Sequence, residues 1–435
     1  MMRITATNRR MLFVVIAMLA LTLFLSDTTW TGTAHRSSSS NLMAQTSVKS
    51  TKDEIKKQLE ELKAKNQEQI SQMKEQIELI RKQIREKNLH FVVEINEMMK
   101  YTIAEITGAQ VPKNIEKQAK VQSETGEKLW GDFLKKYREF LEKKGERRDD
   151  RKKDSGRKKE YYEDIITDEE ELEKKEEEYG YREEEKIEEK EETETDIKNA
   201  PSPESTVFTW ADRSMVTPVK FQAQCGSCWA FSSAAVVESN YMIRRNMTLD
   251  LSEQHFLDCA EAQQPIYRNG QVYYIKNKAG TCQGGWYGPV FEYLRTNSAA
   301  LETQIPYKNA QGACRASNTD KYKIVAWGYV RPDAGIPTVS SMKEALCKYG
   351  PIAACVKVTP ALQAYKSGIF DEFAPVSGER DINHAITIVG WDDNKESYLV
   401  KNSWGTQWGD KGYVWIKYGC NNIGYGAAWI VVNSL

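Results

Sequence analysis

Apolar residues run from Met11 to Leu25 with only Thr22 interrupting, and Arg3, Arg9 and Arg10 precede them. A stretch of that length suits the core of an export signal better than a membrane-spanning helix, which needs about 20 residues. Residues 1–30 are therefore expected to form a signal peptide or an uncleaved signal anchor. The chain would be exported: secreted, periplasmic, or anchored to the membrane outside the cytoplasm. A different pattern follows over 52–87, where Ile55, Leu59, Leu62, Asn66, Ile70, Met73, Ile77, Ile80 and Ile84 step along one face of a sequence without Gly or Pro. This is a heptad seam with a polar register residue, and it predicts a coiled coil through which the chain self-associates, or a single solvated helix.

Over 88–142 two stretches are more apolar. One runs from Phe91 to Ile106 and is closed by Thr107-Gly108; the other carries Trp130, Phe133, Leu134, Tyr137 and Phe140. Both call for a hydrophobic partner. From 143 to 205 the pattern lapses into a basic block followed by a Glu-rich one, which cannot bury enough apolar area to offset the cost of ordering and reads as a charged linker. Ala200-Pro-Ser-Pro-Glu-Ser205 ends it, and maturation cleavage is expected between Glu191 and Thr206. Residues 206–435 are rich in Gly, Trp and Tyr and hold all eight cysteines. Roughly 230 residues suffice for a self-contained core. The net charge of −1 provides no basic footprint for nucleic acid.

Within that half, Cys228 opens Cys-Trp-Ala-Phe-Ser-Ser-Ala-Ala-Val-Val, a helical run, so its thiol should sit at a helix N-terminus, where unsatisfied N–H groups favour the nucleophilic thiolate. A thiolate that attacks an amide needs a partner to carry the proton. Of the four histidines, His35 and His90 precede this half and His255 reads as a structural helix-surface residue. His384 heads the β-rich run Ile382-Asn-His-Ala-Ile-Thr-Ile-Val-Gly390. It is the candidate base. No second Cys-x-x-Cys matches Cys225 and Cys228, so no metal is expected, and nothing points to a cofactor.

Cys225-Gly-Ser-Cys228-Trp229, Val216-Thr-Pro-Val-Lys before it, Leu251-Ser-Glu-Gln-His-Phe-Leu-Asp-Cys259, Cys282-Gln-Gly-Gly285, Asn383-His384-Ala385 and Asn402-Ser-Trp-Gly-Thr-Gln-Trp-Gly409 occur in that order. In these motifs the chain resembles papain-like cysteine peptidases from about Phe208 onward. The resemblance implies an α+β, two-lobed fold: a mainly helical lobe and a β-barrel-like lobe with a cleft between them. It makes Asn402 the residue that orients His384, Trp404 the shield over that bond, and Gln222 an oxyanion donor together with the backbone N–H of Cys228. It implies disulfides Cys225–Cys282 and Cys259–Cys314, leaving Cys347, Cys355 and Cys420. By the same resemblance Gly284 and Gly285 pair with extended substrate, and Trp286, Tyr287 and Cys355 line the pocket for the second residue before the scissile bond. No carboxylate lies towards the pocket floor, so Leu, Val or an aromatic residue is expected there rather than Arg.

The resemblance further implies a precursor whose pro-segment, residues 88–142, covers the cleft, although the Glu-Arg-Phe-Asn-Ile-Asn helix pattern common in the family is missing. Between Cys259 and Cys282 the chain is longer than is usual for the family, and Ile266 to Ile275 reads as a hairpin around Asn269-Gly270. The expected activity is endopeptidase cleavage of peptide or protein substrates. The alternative from another class is a membrane-tethered or oligomeric scaffold whose peptidase-like domain only binds peptides.

Overall fold

A computed structural model of the chain describes residues 38–163, 197, 199–268, 271–318 and 321–433. The expected export signal and, of the expected maturation region, residues 191–196 and 198 lie outside the described residues. The chain divides into two compact units, at Gln69 and Ile70. In the first, residues from Ser38 onward belong to helix α1 (Ser38–Glu86), and Ile55, Leu59 and Leu62 are exposed. In the second, Met73, Ile77 and Ile80 are buried in the chain's own core, together with Phe91, Val93 and Met98. That half of the heptad seam is therefore spent within the molecule and offers no face to another chain.

The second unit is built on a long, largely antiparallel sheet. Its strands are β1 (Phe91–Val93), β2 (Val207–Thr209), β7 (Ile324–Tyr329), β8 (Ile352–Val356), β9 (Tyr365–Phe370), β10 (His384–Asp392), β11 (Ser397–Lys401), β12 (Tyr413–Lys417) and β13 (Tyr425–Val432). The order is β1-β9-β12-β11-β10-β8-β13-β7, with β2 added to β10. Strands β8, β10 and β13 are buried at every position, which explains why they read as continuous apolar runs rather than as alternation. Against β10 and β13 lies α4 (Cys228–Arg245), which is buried from Cys228 to Tyr241 and closed by Asn246 in the left-handed region.

Helices α5 (Glu253–Cys259) and α6 (Tyr287–Thr296) complete the helical layer, and α7 (Val339–Tyr349) lies against the sheet. The insertion forms a hairpin of β3 (Glu261–Arg268) and β4 (Gln271–Lys278), paired in register down to Arg268 opposite Gln271 and packed on α6, and the short β5 (Gly280–Thr281) and β6 (Gly284–Gly285) pair after it. His255 is not on a helix surface, as expected from sequence. It is fully buried in α5, accepts from the backbone N–H of Ala300 at 3.3 Å, and burial pushes it down to about 4.

Residues 88–142 are bound at several places, two of them on the sheet. At the first, β1 pairs with β9, the Phe91 and Phe370 rings lie 4.7 Å apart, and His90 Nδ1 meets Asp371 Oδ2 at 2.6 Å. Gln363 Nε2 also donates to the carbonyls of Met98 and Tyr101. The second is α3 (Ile115–Glu163), after a short α2 (Ile103–Ile106). Its buried stripe is Ile115, Ala119, Ser123, Gly126, Trp130 and Phe133, one residue every three or four positions. The small residues bring it close to β7: a Cβ on Gly126 would lie 2.1 Å from the Trp327 carbonyl oxygen, and Gln122 Nε2 donates to that oxygen at 3.0 Å. Trp130 stacks on Phe133 and meets Tyr349 edge-on, while Tyr349 stacks on Trp429 at 4.1 Å. Trp130→Ala in the full-length chain should therefore lower stability by about 3–5 kcal/mol, read by denaturant unfolding; an unchanged midpoint would refute this packing role.

Candidate active site

Cys228 is the first residue of α4 and is completely buried. Its Sγ accepts from the backbone N–H of Ala385 at 3.4 Å, the residue that follows His384 on β10. His384 opens that strand opposite Val356, so the sheet delivers the imidazole beside the helix terminus. His384 Nε2 meets Asn402 Oδ1 at 2.8 Å, and the Trp404 ring covers the imidazole with centroids 4.8 Å apart. His384 Nδ1 is buried and lacks a hydrogen-bond partner among the described residues. With Nε2 donating to Asn402, Nδ1 is left with a free lone pair, the tautomer a proton acceptor needs.

Gln222 is held from both ends. Its Oε1 accepts from Ser403 Oγ at 2.5 Å, and its Nε2 donates to the carbonyls of Cys225 at 2.9 Å and Ile106 at 3.1 Å. Two residues earlier Lys220 is anchored among carboxylates, with Nζ 2.9 Å from buried Glu253, 3.1 Å from buried Glu238 and 2.7 Å from exposed Asp250. These carboxylates hold the ammonium well above its ordinary range, more than offsetting burial, which is the largest single influence and acts the other way. Sulfurs Cys225–Cys282 and Cys259–Cys314 are joined, and Gly226 N–H donates to the Cys282 carbonyl at 2.8 Å. Cys347, Cys355 and Cys420 are free and buried.

Residues 106–110 run across this constellation. The Ile106 carbonyl accepts from Gln222 Nε2 and from Trp404 Nε1. Gly108 and Ala109 N–H groups both donate to the Asn383 carbonyl, at 2.9 and 2.8 Å. Gly285 N–H donates to the Gly108 carbonyl and Gln110 N–H to the Gly285 carbonyl, making a parallel bridge between Ala109 and Gly285. The approach is close enough to require glycine: a Cβ on Gly108 would lie 2.0 Å from the Gly226 carbonyl oxygen.

Beneath this cover, burial raises the Cys228 thiol to about 11, against the backbone amides of Ala385 and Gly108, which favour the thiolate. Burial likewise lowers His384 to about 4, opposed by the bond to Asn402. Burial under the cover thus favours the neutral form of both groups, against the helix terminus, which favours the thiolate. Sequence reasoning placed Cys228, His384, Asn402, Gln222 and Trp404 in one site, and the fold brings these five together. It missed Ser403 and Lys220, and it expected residues 88–142 to cover the cleft without singling out 106–110; Ser403 was in view within the Asn402-Ser-Trp motif, whereas Thr107-Gly108 was read only as the close of an apolar stretch.

Residues 203–431 match the family described as papain family cysteine protease. The chain belongs to that family. It is 34% identical to rat procathepsin L over 239 residues, 52% of this chain and 64% of that protein. It is 35% identical to stem bromelain of Ananas comosus over 206 residues, 47% of this chain and 84% of that protein. Another relative, gamete and mating-type specific protein A of Dictyostelium discoideum, is 35% identical but matched over only 42% of its length. The chain thus spans less than two thirds of several of the curated relatives it matches. Among solved structures, digestive procathepsin L2 proteinase of Tenebrio molitor shares the fold, with a TM-score of 0.54 at 22% identity over 83% of this chain and 91% of that one.

Proposed function

We propose that the protein is an exported, thiol-dependent endopeptidase that cleaves peptide bonds through an acyl-enzyme on Cys228, made as a precursor whose residues 88–142 keep it latent. The observation that carries this reading is the convergence of Cys228, His384, Asn402 and Gln222 on the stretch where residues 106–110 cross. In the uncovered site the thiol passes its proton to His384 and the thiolate attacks the substrate carbonyl. Gln222 Nε2 and the backbone N–H of Cys228 then receive the oxyanion, and His384 returns the proton to the leaving amine. Water, deprotonated by the same imidazole, releases the second product. Asn402 keeps the ring in the required tautomer, and Trp404 excludes water from that bond. Peptide or protein substrates are the partners, with Gly284 and Gly285 as the strand they pair with.

Latency is supported by what residues 106–110 occupy. Ile106 takes the Gln222 donor, and the parallel pairing to Gly285 leaves the donor and acceptor of that residue engaged. Two disulfides suit an oxidising compartment outside the cytoplasm. Maturation between Glu191 and Thr206 would separate the cover from the family-matched part. The scaffold reading is less favoured, because peptide binding alone has no chemical need for a thiol, an imidazole and two positioned amides in one place. Nicking the charged segment 143–205 in the full-length chain should raise cleavage of a small fluorogenic peptide at least about tenfold, the scale of a modest population shift. Equal rates before and after nicking, measured in dilute solution, would sink the latency.

The sign of the pH response follows from burial. A thiol raised to about 11 is ionised in roughly one molecule in 10⁴ at pH 7. Alkylation of Cys228 by iodoacetamide in the unprocessed chain, followed on its own tryptic peptide, should therefore keep rising through about pH 10. After processing it should be nearly flat from about pH 5 upward, as for a thiolate paired with a charged imidazole. A profile for the unprocessed chain that levels off below about pH 8 would contradict the neutral, covered pair.

A further inference from the structure

The two donors proposed for the oxyanion, Gln222 Nε2 and the backbone N–H of Cys228, sit at opposite ends of one irregular loop, in which Ala223 is in the left-handed region. Ser403 fixes the first end in part: its hydroxyl bonds to Gln222 Oε1, and its carbonyl accepts from the Gln222 backbone N–H at 2.9 Å. The Cys225–Cys282 disulfide fixes the middle. The phenol of Tyr307 ties the two ends to each other. Its Oη lies 2.9 Å from the Gln222 carbonyl oxygen and 2.7 Å from Oγ of Ser227, the residue just before Cys228.

Both bonds are satisfied by one arrangement of protons. A carbonyl only accepts, so the phenol's proton goes to Gln222 and the Ser227 hydroxyl donates to Oη. Burial holds the phenol above its usual range and keeps that proton in place. Ser227 is the N-cap of α4, where a serine side chain ordinarily accepts from the N–H groups of the first turn. Among the described residues it makes no such bond, and its hydroxyl is turned to Tyr307 instead. The other acceptor within its reach, the Cys225 carbonyl, is 3.4 Å away. Tyr307 is itself held: its N–H donates to Glu302 Oε1 at 2.8 Å, and its ring meets Phe231 of α4 edge-on with centroids 4.9 Å apart.

We propose that Tyr307 is a positioning residue for the oxyanion site, setting the separation of the Gln222 amide and the first N–H of α4 so that both donors meet one substrate oxygen. This rests on the peptidase reading above. Tyr307 acts through Gln222 and Ser227 rather than on the substrate. Without its hydroxyl the Gln222 carbonyl loses a donor and Ser227 is free to turn back onto the helix terminus, so the loop relaxes at both ends. Cys228, His384 and Asn402 keep their own contacts.

The test uses the full-length chain processed to its active form and Tyr307→Phe, which keeps the ring against Phe231 and removes Oη. Removing an oxyanion donor costs about 10²- to 10³-fold, and misaiming one costs part of that. Tyr307→Phe should therefore lower kcat for a fluorogenic peptide amide by about tenfold, with KM held within about twofold. Alkylation of Cys228 by iodoacetamide, which displaces iodide at a saturated carbon and forms no oxyanion, should keep the wild-type rate and pH profile. In a Gln222→Ala background Tyr307→Phe should lower kcat by less than about threefold, because one of the donors it aligns is gone. An unchanged kcat, an equal fall in cleavage and alkylation, or the same factor in both backgrounds would overturn the positioning role. If Tyr307→Phe yields no folded protein, Ser227→Ala decides, since it breaks the same chain of hydrogen bonds at its other end. That variant should lower kcat by at least about threefold with alkylation unchanged, and a wild-type kcat would overturn the role. All these outcomes leave labelling of the wild-type Cys228 by a peptidyl electrophile intact. Absence of that labelling, together with absence of cleavage, would overturn the peptidase reading and the role of Tyr307 with it.

Discussion

Replacing Cys228 by alanine will lower kcat/KM for peptide cleavage by roughly 10⁴- to 10⁶-fold, the scale on which removal of an acyl-enzyme nucleophile acts. The same substitution will abolish labelling of the processed chain by thiol-reactive peptide electrophiles. The molecule supplies its own control. Burial pushes Cys347 and Cys420 up to about 12 and Cys355 well above the usual thiol range, so these three stay protonated and unreactive. Serine in place of Cys228 should be nearly as inactive, because His384 lies in a site arranged for a thiol, whose proton is far easier to remove than that of a hydroxyl. Cleavage retained by the alanine variant would remove Cys228 from the chemistry, and the endopeptidase assignment with it.

The second large effect is expected at Gly108, where Gly108→Val puts a side chain into backbone. The first added atom would fall 2.0 Å from the Gly226 carbonyl oxygen and 2.6 Å from its carbon, and neither can retreat, because Gly226 sits next to the disulfide at Cys225. Overpacking of this kind costs about 1–3 kcal/mol, which shifts the balance between covered and open cleft by about 5- to 150-fold. Unprocessed Gly108→Val should therefore label at Cys228 faster than the unprocessed wild type by that factor. Its melting should change little, since α3 and β1 keep their own contacts with the rest of the unit. Labelling at the wild-type rate would mean that residues 106–110 do not limit access to the thiol.

Much of the site was legible because its chemistry is local to short motifs. Cys228 announces itself by heading a breaker-free helical run, and His384 by heading an apolar strand. That β3 and β4 pair as a hairpin was readable from turn chemistry in the sequence alone. The missing parts depend on contacts between distant segments. Of the stripe on α3 only Trp130 and Phe133 were visible, because Ala119, Ser123 and Gly126 carry no hydrophobic signal; they matter by being small enough for the helix to approach β7. Half of the heptad seam was read as a surface for another chain, because periodicity reports that a face is buried and not what buries it. The burial that disfavours charge on Cys228 and His384 was equally out of reach, since a segment more than a hundred residues upstream of Cys228 lies over them.

The cover grips the catalytic half on both sides of the cleft, β1 on β9 before the crossing and α3 on β7 after it. Two grips joined by a short spacer act as a bivalent ligand: while one holds, the other faces its site at an effective concentration in about the millimolar range. A single cut in the segment 143–205 abolishes the covalent tether but neither grip. The severed cover then leaves only when both let go together, and what had been an intramolecular equilibrium becomes dependent on dilution. Activity after such a cut should appear slowly in concentrated solution and quickly on dilution, so the same molecule would stay quiet where it is stored densely and become active where it is spread thin.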